Sequence, residues 1–208
     1  MQFNLTFPVI PIGVFSDSSK IVTIAGIFLQ YGINCIEVTL RTPQALTCIT
    51  ALRKSFPKLL IGAGSVLSKD DFMASVDAGA TFIVSPCISD SLIELSHKFT
   101  QVQYVPGFTT PTELAHALQS GCTMVKFFPA EYSGGAKLLK AIIEPFVSFT
   151  FSIIPTGGIM PSAIKQYLAL PNVIACGMSY IVDSTLIDNN DFQALENRIK
   201  ETLDSITH

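Results

Sequence analysis

Apolar, strand-like runs alternate with helix-like segments along this 208-residue chain, and that rhythm restricts the folds open to it. The runs are Phe7–Phe15, Asn34–Leu40, Leu59–Val66, Thr81–Pro86, Val102–Pro106, Thr123–Phe128, Phe151–Pro155 and Asn172–Gly177. A helix-like segment follows each. Thr42–Ser55 opens with Thr42-Pro43, a capping residue before a proline at the first helical position. Ser68–Ala78 stops at Gly79. Thr110–Gln119 begins Thr110-Pro111-Thr112-Glu113, the pattern of a capping box, and stops at Gly121. Residues 191–206 place Phe192, Leu195, Ile199, Leu203 and Ile206 near helical spacing. Eight such units predict one α/β domain over residues 1–208, a TIM (β/α)8 barrel; a doubly wound open sheet is the alternative. No linker, low-complexity tract or solenoid repeat interrupts the rhythm.

Hydrophobic residues make up 49% of the chain and charged residues 14%, against the usual ~25% charged. A membrane protein and a self-associating protein both fit such a balance. No stretch approaches the ~18 unbroken apolar residues of a spanning helix. The longest candidate, Ile21 to Ile33, is cut by Thr23, Gln30 and Gly32. Self-association is therefore expected, and a membrane partner is not. A net charge of −3 without basic clusters argues against nucleic acid. The first cationic side chain is Lys20, so the opening segment lacks the form of a secretory signal. Cys35, Cys48, Cys87, Cys122 and Cys176 show no CxxC spacing, and reduced thiols in a cytoplasmic protein are the expectation. His97, His116 and His208 adjoin no other ligand at a metal-site spacing, so no metal is expected. No cofactor is expected either.

Lys126 stands alone in the run Cys122-Thr123-Met124-Val125-Lys126-Phe127-Phe128-Pro129-Ala130. Burying an ammonium is costly unless it is paired or loses its proton. On a strand, Met124, Lys126 and Phe128 share one face, and Thr123, Val125 and Phe127 the other. A neutral lysine in an apolar site attacks carbonyls and forms Schiff bases. A lysine that snorkels to the sheet edge or pairs with a carboxylate is the structural alternative.

Other unusual residues fall at the ends of the runs, where a barrel carries its function. Glu37 interrupts Ile36-Glu37-Val38-Thr39-Leu40-Arg41. It reads either as a structural partner for Lys126 or as a general acid/base tuned by burial. Arg41 is a solvated loop residue or a planar fork for a carboxylate. Pro155-Thr156-Gly157-Gly158-Ile159-Met160-Pro161 looks like a strand end, a tight turn and a helix start. Together with Gly177-Met178-Ser179 after the eighth run, it falls where this barrel frequently holds phosphate.

These residues, in order and at these spacings, resemble the 2-keto-3-deoxy-6-phosphogluconate aldolase family (KDPG/KHG aldolases) over nearly the whole chain. The resemblance rests on Pro8-Val9-Ile10-Pro11, Glu37-Val38-Thr39-Leu40-Arg41-Thr42, Gly62-Ala63-Gly64-Ser65-Val66, Ser85-Pro86 and Pro106-Gly107. Thr110-Pro111-Thr112-Glu113, Lys126-Phe127-Phe128-Pro129-Ala130-Glu131 and Pro155-Thr156-Gly157-Gly158 complete it. It implies a metal-free class I aldolase that cleaves a phosphorylated keto acid to pyruvate and glyceraldehyde 3-phosphate. Lys126 would be the Schiff-base lysine and Glu37 the acid/base. Arg41 and Ser65 would hold the substrate carboxylate, Pro86 would line the pyruvate pocket, and Thr156 would stand beside the reacting centre. Gly157, Gly158, Gly177, Met178 and Ser179 would hold phosphate. A homotrimer is the implied assembly. Four positions depart from the family's commonest pattern: Ser65 for threonine, Cys87 for glycine, Met178 for a second glycine and Tyr180 for tryptophan. Methionine would be strained if position 178 needs a positive φ. Alternative substrates are 4-hydroxy-2-oxoglutarate and the galactonate isomer. A phosphosugar isomerase or decarboxylase using Glu37 without covalent chemistry, and a non-catalytic barrel that only binds a phosphorylated ligand, are the rival classes.

Overall fold

The computed structural model describes residues 3–207; Met1, Gln2 and His208 lie outside the described residues. In chain order the elements are β1 (Val9–Gly13), α1 (Ile21–Gln30), β2 (Cys35–Thr39), α2 (Ala45–Ser55), β3 (Leu60–Gly64), α3 (Lys69–Asp77), β4 (Phe82–Val84), α4 (Asp90–Ser96) and β5 (Gln103–Val105). They continue with β6 (Gly107–Phe108), α5 (Pro111–Gln119), β7 (Met124–Phe127), α6 (Ala130–Ser133), α7 (Gly135–Ile143), β8 (Ser152–Pro155), α8 (Ile164–Leu168), β9 (Cys176–Met178), α9 (Ser184–Asp188) and α10 (Phe192–Thr207).

All strand pairing is parallel. One six-stranded sheet runs β5-β4-β3-β2-β1-β9 and a three-stranded sheet runs β6-β7-β8. The larger sheet is curled, a half-barrel. Among the described residues, the eight runs read from the sequence thus stand as nine strands in two sheets, and the (β/α)8 barrel expected from the sequence does not close into one continuous ring. The extra strand, β6, lies beyond the fifth run: Pro106, the last residue of that run, separates β5 from β6 and has no N–H to give to a ladder. On the other side, β8 meets the last strand region through single bridges, Thr156 to Gly177 and Ile153 to Val173.

The sheet separates two apolar layers. Val9, Ile36, Val38, Ile61, Val125 and Phe127 pack against helix residues such as Ile24, Phe28, Leu52 and Leu139. Alternate positions on the same strands, Ile10, Ile12, Cys35, Leu60, Phe82, Val105, Met124 and Ile154, form a separate concave core. This is the period-two rule of a strand. It places Lys126 on the concave side with Met124, as the sequence requires.

Local signals set some helix starts. Ser68 caps α3 through Asp71 N–H, and Thr110 and Glu113 form a complete capping box on α5. The expected Thr42 cap is not made. The α2 helix starts at Ala45, because the Thr42 hydroxyl donates to the Phe15 carbonyl at 2.5 Å, a contact across the loop between two strand ends. Among the described residues, no helix is long and apolar enough to cross a membrane.

Candidate active site

β2 and β7 carry the two buried charged side chains of the concave face. Glu37 is 4% exposed and Lys126 is 6% exposed. Lys126 Nζ lies 3.9 Å from Glu37 Oε1, close enough for charge attraction and too long for a hydrogen bond. The Phe128 ring covers the amine at 4.9 Å from its centroid. Gly64 provides the space for the carboxylate: a Cβ there would collide with Glu37 Oε1 and lie 2.8 Å from its Cδ. The glycine two residues on from Gly62 in β3 is therefore part of the acid's site. Burial raises the pKa of Glu37 from the usual carboxylate value, and the charges of Lys126 and Arg41 partly oppose that rise. A buried carboxyl that can hold or release a proton near an amine is equipped for acid/base work. Cys35 lies on the same strand face. Burial, with Glu37 nearby, pushes its thiol well up, so it stays protonated and a poor nucleophile.

Glu37, Lys126 and Phe128 line a cleft of about 470 Å³, together with Arg41, Ser65, Pro86, Thr156, Gly157, Gly158 and Ser179. Nine of the eleven residues singled out in the sequence meet there. Gly177 and Met178 stand behind it, inside β9, with Met178 fully buried. Met178 has no positive φ; among the described residues, the non-glycine residues that do are Ser65 at +59°, Asn172 and Asn190. The concern raised by methionine at 178 therefore does not arise, and the unusual backbone sits at the Ser65 turn. Gly157 and Gly158 take φ of +109° and +78°, which L side chains rarely adopt. Among the described residues, the N–H groups of Gly158 and Ser179 have no backbone carbonyl partner. They are free to meet an anion. Gly177 leaves room for its neighbour across the bridge, since a Cβ there would strike the Thr156 hydroxyl.

The cleft also holds residues that the sequence does not single out: Tyr132, Val182, Asp183 and Ser184. Tyr132 is 84% exposed at the mouth, and a Cβ on Gly158 would lie 3.1 Å from its ring. Among the described residues, no group of three or more His, Cys, Asp or Glu side chains is placed to hold a metal ion.

A buried lysine and carboxylate at the C-terminal ends of parallel strands, beside glycine turns with free amides, define an α/β enzyme site with the means for imine and acid/base chemistry. Residues 3–198 match the KDPG and KHG aldolase family. The chain is 34% identical over 198 residues to the 2-dehydro-3-deoxy-phosphogluconate aldolase of Haemophilus influenzae, covering 95% of this chain and 92% of that one. The KDPG aldolase of Legionella pneumophila, solved with pyruvate captured at low pH as a covalent carbinolamine intermediate, superposes with a TM-score of 0.84. It is 36% identical and the match covers 91% of each chain. The 2-keto-3-deoxy-6-phosphogluconate aldolase of Zymomonas mobilis, solved with 3-phosphoglycerate, gives a TM-score of 0.78 at 34% identity, covering 85% of this chain and 83% of that one. The chain belongs to the KDPG and KHG aldolase family.

Proposed function

We propose that this chain is a class I aldolase that cleaves 2-keto-3-deoxy-6-phosphogluconate to pyruvate and glyceraldehyde 3-phosphate. The observation that carries the reading is the buried Lys126 amine 3.9 Å from the Glu37 carboxylate, at the base of a cleft in a chain of this family. The Lys126 amine adds to the C2 carbonyl, and the carbinolamine loses water to give an iminium. Glu37, directly or through one water, takes the C4 hydroxyl proton. The C3–C4 bond breaks, its electron pair flows toward the iminium, and the aldehyde departs from a pyruvate enamine. Protonation at C3 and hydrolysis release pyruvate and restore the amine. Arg41 and the Ser65 hydroxyl take the substrate carboxylate, Pro86 and Thr156 flank the pyruvyl group, and the Gly157–Gly158 turn and Ser179 take the phosphate, with Gly177 and Met178 of β9 setting the position of Ser179 from behind the cleft.

The same reading treats the molecule as one domain whose two sheets close into a single (β/α)8 barrel. Pro106 on one side and lone bridges on the other are the interruptions to that ring. A homotrimer fits the low charge content and the exposed Leu67, Val147 and Phe149. Five unbridged cysteines suit a reducing, cytoplasmic setting. The partners are small keto acids rather than nucleic acid or membrane.

Release of pyruvate from 2-keto-3-deoxy-6-phosphogluconate and from unphosphorylated 2-keto-3-deoxygluconate tests the substrate. Loss of the phosphate should lower kcat/KM about 10²-fold or more, because remote binding energy orients the reacting end. Equal values would overturn the phosphate assignment and favour 4-hydroxy-2-oxoglutarate as the main substrate.

Ser65 offers a second test. Its φ of +59° costs a non-glycine residue about 1–2 kcal/mol, and glycine costs about 0.5–1 kcal/mol more in chain entropy. Ser65→Gly should therefore gain roughly 0.5–1 kcal/mol in thermal unfolding while weakening pyruvate binding through the lost hydroxyl. Unchanged pyruvate affinity would remove Ser65 from the carboxylate site.

A further inference from the structure

The cleft is lined by two cationic side chains, Arg41 and Lys126, and by two carboxylates, Glu37 and Asp183. Glu37 is accounted for by the chemistry. Asp183 is not: it belongs to the loop after β9 that also carries Ser179, where an anion is expected to bind. Its side chain is 39% exposed and accepts a hydrogen bond from Thr185 N–H at 2.8 Å. A bare carboxylate there would repel a phosphate dianion.

The compensating charge comes from outside the cleft. Arg198 of α10 places Nη1 3.4 Å from Asp183 Oδ2 and donates to the Tyr180 carbonyl at 2.7 Å. Its guanidinium lies 4.7 Å from the Tyr180 ring centroid, and the Tyr180 hydroxyl donates to Glu201 Oε2 at 2.5 Å. The other non-catalytic arginine, Arg53, is tied to the carbonyls of Gly79 and Pro57. Arg198 is thus one guanidinium that meets the loop bearing Ser179 by hydrogen bond, stacking and charge at once.

Building on the phosphate reading above, we infer that Arg198 is a positioning residue that sets the preference for a phosphorylated substrate by neutralising Asp183 and holding the 179–183 loop. The arginine touches no substrate. It acts through the carboxylate that does face the cleft, and its effect therefore falls on the phosphate end alone. The pair is partly exposed, so its influence shrinks as salt screens it.

The readout is the ratio of kcat/KM for 2-keto-3-deoxy-6-phosphogluconate to that for 2-keto-3-deoxygluconate, at low ionic strength. Arg198→Met keeps the stem over Tyr180 and removes the charge. It should lower the ratio about tenfold, mainly through KM of the phosphorylated substrate, since like charges across a binding site are strongly unfavourable. Arg198→Lys should hold the ratio within about threefold of wild type. Adding Asp183→Asn to Arg198→Met should restore it to within about threefold, an outcome that loss of a structural contact would not produce. An unchanged ratio in folded Arg198→Met, or no recovery in the double variant, overturns the inference. If Arg198→Met does not fold, Asp183→Asn alone decides: a lower KM for the phosphorylated substrate supports the pair and an unchanged one overturns it. A wild-type ratio near one would refute the phosphate reading itself, and this inference with it.

Discussion

Treatment with pyruvate and borohydride should leave one stable adduct, on Lys126, visible in the intact mass and mapped by peptide analysis. Lys126 is buried on the concave face beside a carboxylate, whereas Lys20 donates to the backbone carbonyls of Ile187 and Asp188 at the surface. Reduction traps only an imine, so the adduct reports the covalent step directly. Lys126→Ala should form no adduct and lose turnover by on the order of 10⁴-fold or more, as removal of a covalent nucleophile does elsewhere. Because alanine leaves a void and an unpartnered acid, Lys126→Met should accompany it. Methionine fills the space with a flexible apolar stem and should remain folded while equally inactive. An adduct on another lysine, or none at saturating pyruvate, would end the class I assignment.

Glu37→Gln should lower kcat by roughly 10²–10⁴-fold while keeping the shape of the side chain above Gly64. Burial raises the folded pKa of Glu37, against the opposing charges of Lys126 and Arg41. The acid limb of the kcat/KM profile should therefore lie above the usual carboxylate range and vanish in the glutamine variant. Stability carries the same sign. A group whose folded value is raised stabilises the fold fully below its unfolded value and loses that contribution as pH rises through the folded value. The glutamine variant carries no such titration, so its melting temperature should gain on that of the wild type as pH climbs through that window. A difference flat with pH, or a rate effect below about threefold, would move the proton-transfer role to a water or another residue.

Where a signal in the sequence is local, the structure follows it. The Thr110–Glu113 box depends on four consecutive residues and forms as read. Thr42 fails as a cap because a distant partner, the Phe15 carbonyl, takes its hydroxyl. The strand run around Lys126 reveals its face through alternation; pairing with Glu37 stands only as one of two readings of that carboxylate, and the family resemblance gives each residue its expected role. Asp183 and Arg198 were illegible. Neither is singled out by spacing or motif in the sequence. Only the fold brings α10 against the loop after β9. The positive φ of Ser65 left no trace either, since serine is an ordinary turn residue.

The concave side of the sheet changes character along each strand. Cys35 gives way to Glu37 and then Thr39, Met124 to Lys126, and Ile154 to Thr156. A dry plug and a wet workshop thus share one wall, only one or two pleats apart. An engineer can treat them as separate storeys. Ser65, Tyr132 and Asp183 line the upper storey and none of them belongs to the apolar foundation. Repacking Ile10, Leu60 or Val105 can toughen the foundation while leaving the chemistry in place. That vertical separation makes the chain a candidate for retargeting toward other carbon–carbon bond formations.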